Sequence, residues 1–114
     1  MAEKNTLVVL WTSGDREVAE KMVFMYSHNA KKQGWWKEVR FIIWGPSAKL
    51  VVEDEVLKEK LIQMREEGVI LEACRACAER LGVDKALEEL GVNVCYMGEP
   101  LTDYLKSDYS VLSV

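Results

Sequence analysis

Five short apolar runs, each giving way to a helical pattern, constrain this chain more than any other feature. The first, TLVVLWT from Thr6 to Thr12, is continuous in β-branched and apolar residues, as a strand covered on both faces requires. Four more follow, at Val39 to Trp44, Val69 to Ala73, Val92 to Tyr96 and Tyr109 to Val114. The stretches between them read as helices. They run from Asp15 to Lys32, from Ser47 to Val52 and on from Glu53 to Glu67, from the Cys74 segment to Leu81, from Asp84 to Leu90, and from Leu101 to Lys106. In the second of these Leu57, Leu61 and Met64 fall at i, i+4 and i+7 along one stripe. Gly34, Gly68 and Gly91 stand where helices should stop, and Asp84 where one should be capped. Strands that alternate with helices bury their faces as a mainly parallel sheet with right-handed crossovers.

A chain of 114 residues is the size of one compact core, so residues 1–114 read as a single domain. The expected fold class is α/β: a three-layer α/β/α flavodoxin-like domain around a mainly parallel five-stranded sheet. Acidic residues outnumber basic ones 19 to 15, and the net charge of −4 argues against a surface that neutralises nucleic-acid phosphates. The apolar run near the start is shorter than a signal-peptide core and lacks a small-residue cleavage site, and no stretch has the length to cross a bilayer. The expectation is a cytoplasmic protein with neither nucleic-acid nor membrane partners. Three cysteines, an odd number without an export signal, read as free thiols, metal ligands or redox groups rather than a disulfide framework.

Ligand sites in such sheets lie at the carboxyl ends of strands, where strand order reverses. The loops there are Thr12 to Asp15, Gly45 to Ser47, Ala73 to Cys77 and Met97 to Pro100. Cys74 leaves the third strand directly and meets the first turn of a helix, where free backbone N–H groups favour the thiolate that attacks sulfur. Cys77 stands one helical turn further and can reach back. A buried cysteine is also a common small core residue. Placement at a carboxyl-end junction, with a second thiol at C-x-x-C spacing, tips Cys74 toward function. Cys95, inside the fourth strand, reads as core, with contact to Cys74 across the sheet as the less favoured alternative.

The segment GVILEACRACAERLGV resembles the stretch in DsrE/DsrF-like proteins, the group of TusD, DsrE and YchN, where a strand ends in a cysteine and a helix closes on Leu-Gly. The opening LVVLWTSGDREVAEKMVFMYSHNAKKQG, the FIIWGPSAKLV stretch and the late GVNVCYMGEPL are similar to that family in order and spacing. The resemblance implies a flavodoxin-like domain that assembles as a dimer, trimer or hexamer, and a cysteine that carries sulfane sulfur as a persulfide. Cys74 takes that position. It would accept sulfur from a donor protein or a small polysulfide and pass it to an acceptor thiol, a sulfurtransferase-like activity that needs no cofactor. Cys77 departs from the family's single-cysteine pattern and is a candidate resolving thiol. Two alternatives stand beside this reading: a C-x-x-C dithiol oxidoreductase, and a non-catalytic oligomeric subunit with inert cysteines.

The expected borders of a pocket around Cys74 are Ser13, Gly14, Trp44, Gly45, Arg75 and Met97, with Arg75 steering an anionic sulfur donor. Trp11, at the end of the first strand, is a further candidate for its wall. Asp15 puts negative charge where a phosphate would sit, so Ser13-Gly14-Asp15 is preferred as a capping turn over a nucleotide loop. Two cysteines on one turn, with a single histidine at His28, make a poor zinc site, and no metal is expected. Trp35 and Trp36, with the apolar run Met22 to Tyr26, suggest a surface for self-association.

Overall fold

The computed structural model describes residues 5–114. Five strands, β1 (Thr6–Trp11), β2 (Glu38–Ile43), β3 (Ile70–Cys74), β4 (Asn93–Cys95) and β5 (Ser110–Ser113), form one sheet in the order β4-β3-β2-β1-β5. Every neighbouring pair is parallel, so the architecture is α/β with a fully parallel sheet.

Strand order decides where the helices go. The connections β1 to β2, β2 to β3 and β3 to β4 each step one place in the same direction, so right-handed crossovers put their helices on one face. That face carries α1 (Arg16–Val18) and α2 (Phe24–Lys32), joined by the π-helical turn Ala19–Val23. It also carries α3 (Pro46–Glu53), α4 (Glu55–Glu66), α5 (Arg75–Leu81) and α6 (Asp84–Glu89). The last connection steps back past every strand to the free edge of β1. Its helix, α7 (Gly98–Lys106), therefore covers the opposite face alone.

Two cores follow from the period-2 alternation of the strands. Leu7, Val9 and Trp11 of β1, with Phe41, Ile43, Leu71 and Ala73, face the six-helix side and pack on Phe24, Val51, Leu57, Leu61, Met64, Ala78 and Leu87. The stripe Leu57, Leu61 and Met64 is fully buried, and each such side chain stabilises the fold by about 1.5–3 kcal/mol. Val8, Ile42, Cys74 and Met97 face the other way, packed against Leu101 and Tyr104 of α7. None of α7 is fully buried. The second core is the thinner of the two.

Local chemistry sets the boundaries. Asp15 caps the first helix, its Oδ1 accepting from the N–H of Glu17 at 2.8 Å and of Val18 at 3.2 Å, as the capping-turn reading expects. Asp54 does the same for α4, accepting from Leu57 N–H at 3.0 Å. Asp84 is not a cap: it is the first helical residue of α6, and Val83 holds the cap position. The α7 helix starts at Gly98, ahead of the Leu101 start that the apolar pattern predicts. Pro100 lies in its first turn, where its missing N–H costs nothing. The apolar run of the first helix wraps past the sheet-facing side: Val23 and Phe24 are buried, while Met22 and Met25 point outward, as does Trp35.

Candidate functional site

The sheet has one place where connections leave neighbouring carboxyl ends toward opposite faces. The β3 connection goes to the six-helix side and the β4 connection to α7, so the crevice between β3 and β4 is the topological switch point. Cys74 is the last residue of β3, Cys95 the last of β4, and the register places them side by side.

Cys74 is also the N-cap residue of α5 and is 6% exposed. It is one of the residues lining a groove of about 680 Å³ between α3 and α5, with Trp44, Gly45, Pro46, Lys49, Ala76, Cys77, Arg80 and Leu81. Both cysteines of the C-x-x-C pair thus line one opening. Gly45 donates its backbone N–H to Cys77 Sγ at 3.2 Å, and an amide aimed at sulfur supports negative charge there. The donor is positioned by a backbone that a side chain would oppose: Gly45 has φ 83° and ψ −145°, a combination taken almost solely by glycine. Pro46 then opens α3 at its first position.

Of the residues expected around Cys74, Trp44 and Gly45 line the groove and the others do not. Ser13 and Gly14 stay in the capping turn behind it, where Ser13 Oγ accepts from Asp15 N–H at 3.1 Å. A Cβ on Gly14 would come within 3.1 Å of Pro46 Cβ, so the turn abuts α3. Met97 is fully buried below the crevice, sharing the α7-side core with Cys74. Arg75 turns from the groove: its Nη2 donates to Val94 O at 2.6 Å, and Glu79 and Glu88 lie 4.0 and 3.8 Å from the guanidinium. Trp11 is fully buried in the larger core, edge-on to Phe24 at 4.9 Å.

The cations that do line the groove are Lys49 and Arg80, and neither forms an ion pair among the described residues. Arg80 stands three residues after Cys77 on one helix, a spacing that marks a shared face. Lys49 carries no comparable signal in the sequence. His28 is placed elsewhere, its Nε2 3.4 Å from Glu67 at the far end of α4.

On the other side of Cys74 lies a polar cluster that the sequence does not announce. Glu72, two residues earlier on the same face of β3, is buried. Tyr104 of α7 donates its hydroxyl to that carboxylate, with oxygens at 3.0 and 3.1 Å, and Arg40 Nη1 donates to the Tyr104 oxygen at 3.0 Å. Burial pushes the Tyr104 hydroxyl above its ordinary value, and its bond to Glu72 adds to this. Burial likewise pushes the Cys95 thiol up, helped by the charge of Glu72 and by Cys74 and opposed by Arg75. Cys95 Sγ donates to Met97 Sδ at 3.4 Å. All three cysteines are free. No group of three or more His, Cys, Asp or Glu among the described residues is arranged to hold a metal ion, and no helix there is long and apolar enough to cross a membrane.

Comparison with known proteins gives the geometry its relatives. The structure of a conserved protein of unknown function from Bacteroides thetaiotaomicron, BT1422, is 40% identical, superposes with a TM-score of 0.94, and is matched over 96% of this chain and 95% of that one. The crystal structure of the ychN protein from E. coli has the same fold at 13% identity, with a TM-score of 0.71 over 98% of this chain and 100% of that one. No curated protein matches the sequence. The model of the DsrE/DsrF-like family matches residues 5–114, and the chain belongs to that family.

Proposed function

We propose that this protein carries sulfane sulfur as a persulfide on Cys74, loaded through the groove, with Cys77 as the thiol that takes the sulfur onward or resolves it. The observation that supports the reading most is that both cysteines line one groove at a strand's carboxyl end, with the Gly45 N–H on Cys77 Sγ. In loading, the Cys74 thiolate attacks the outer sulfur of a donor persulfide or polysulfide. The new S–S bond forms as the donor's S–S bond breaks, and the donor leaves as a thiolate or a shortened polysulfide. Attack by Cys77 on the outer sulfur of the Cys74 persulfide relays it one turn along α5. Attack on the inner sulfur instead expels hydrosulfide and leaves a Cys74–Cys77 disulfide, with two thiols oxidised and one sulfane sulfur reduced.

Intact-mass analysis after exposure of the reduced protein to polysulfide tests the loading step. Sampled early in the reaction, wild type and Cys77→Ser should gain the mass of one sulfur, before any resolving thiol expels it, with the wild type also showing the disulfide, and Cys74→Ser should gain none. Loading of Cys74→Ser at the wild-type rate defeats the assignment.

Donor sulfur species are anionic, and the groove offers them Lys49 and Arg80 beside apolar Trp44, Pro46 and Leu81. Exchanging both cations for glutamate should slow polysulfide loading on the order of tenfold at low salt. The difference should shrink as ionic strength screens the field. Equal rates at low salt for the double variant and wild type would assign both cations to ordinary solvated surface.

A further inference from the structure

We infer that Cys95 is a second resolving thiol for Cys74, acting from beneath the groove across the β3–β4 crevice; this rests on the persulfide reading of Cys74. The C-x-x-C spacing draws attention to Cys77, but the sheet gives Cys74 another neighbour. Cys74 and Cys95 are register partners on adjacent parallel strands. Strand spacing of about 4.8 Å lies inside the roughly 4.4–6.8 Å range of Cα separations that a disulfide spans. Register partners in a sheet point to one face, and Cys74, Cys77, Cys95 and Met97 do share the α7-side core. Each of the two cysteines is the final residue of its strand. Closing the Cβ gap therefore moves two strand ends and leaves the interior of the ladder in place.

Division of labour follows from the surroundings. Cys77 faces the groove and receives the Gly45 N–H. Cys95 donates its proton to Met97 Sδ, in a site where burial and the Glu72 charge disfavour the thiolate. It is the slower nucleophile of the two. It acts when a persulfide on Cys74 is passed neither to an acceptor nor to Cys77. The Cys95 sulfur then attacks Cys74 Sγ, the bond to the outer sulfur breaks, and that sulfur leaves with the electron pair as hydrosulfide. The thiol proton goes to the leaving sulfide. The sulfane sulfur is the oxidant, so no further reagent is needed. The product ties β4 to β3 and withdraws Cys74 from the groove until a thiol reduces it.

Tryptic mapping without reductant reads the pairing directly, because Arg75, Arg80 and Lys85 put the three cysteines on separate peptides. Cys77→Ser treated with polysulfide should yield the Cys74 and Cys95 peptides linked. Cys77→Ser with Cys95→Ala should lose that product completely and retain the extra sulfur on Cys74. A parallel arm with diamide, a thiol oxidant that involves no persulfide, should give the same link in Cys77→Ser. Retention of the extra sulfur on Cys74 of Cys77→Ser, with no link in either arm, overturns the role of Cys95 while leaving the carrier reading intact. A link with diamide but no sulfur gain in any variant overturns the carrier reading and keeps the pairing as a thiol-oxidation device. Absence of both overturns both.

Discussion

Replacing Trp11 with alanine should lower the unfolding free energy by about 3–5 kcal/mol, roughly a third to a half of what a domain of this size holds. The indole is fully buried at the end of β1, edge-on to Phe24 at 4.9 Å and tilted against Phe41 at 5.7 Å, and those two rings meet each other at 5.4 Å. Truncation removes one member of a three-ring cluster and leaves a void between the sheet and α2 that neighbours fill only in part. Trp11→Phe separates volume from polarity. The indole Nε1 is buried and finds no acceptor among the described residues, and an unsatisfied buried donor costs about 1–3 kcal/mol. Phenylalanine deletes that donor, so its loss of packing is partly offset and its cost should fall well below that of alanine. Urea unfolding of the three proteins checks both statements. Equal costs for the two substitutions would count against both statements, since volume and polarity alike favour phenylalanine over alanine at this site.

The same residue shows where sequence reading stops. A tryptophan at a strand's carboxyl end is placed near the functional rim by position alone, and Trp44 does line the groove. Trp11 shares the parity of Leu7 and Val9, so it follows them into the larger core. Alternation is legible in TLVVLW; which face meets which helices is not, because that depends on the edge that β5 joins. The strands were legible because burial on both faces needs continuous apolar runs. The helix start at Asp15 is legible because its side chain caps, whereas the break that the pattern places at Glu53 falls one residue ahead of the true cap, Asp54, which the apolar spacing does not single out. At the site, Cys74 and Cys77 declare themselves by spacing and Gly45 by its neighbour Pro46. The pairing of Cys74 with Cys95 is a fact of register, which twenty intervening positions of sequence do not encode locally. Arg75 differs from expectation for a related reason: adjacency in sequence to Cys74 predicts a shared pocket, whereas its guanidinium donates to Val94 O on the neighbouring strand.

Removing Arg40 should expose how the thinner core tolerates a buried carboxylate. Glu72 has 8% of its side chain exposed, and its partners are the Tyr104 hydroxyl and the Arg40 guanidinium at 3.7 Å. Arg40 also donates to Glu38 at 2.8 Å and lies 5.3 Å from the centre of the Tyr104 ring, so it joins β2 and β3 to α7. Breaking a fully buried ion pair by deleting one partner costs about 3–5 kcal/mol, because a charge is left without compensation. Arg40 keeps 24% of its side chain exposed, so water softens the loss and Arg40→Met should cost about 2–3 kcal/mol. Glu72→Gln in that background should recover most of it, since the double variant buries no charge; additivity of the two single changes would mean the pair does not couple. The cluster also bears on sulfur chemistry, since the Glu72 charge is one of the forces that keep the Cys95 thiol protonated. Glu72→Gln alone should therefore speed alkylation of Cys95 at mildly alkaline pH, with the groove thiol Cys77 as internal reference. An unchanged ratio of the two labelling rates would mean that burial alone, without the carboxylate, holds the proton on Cys95.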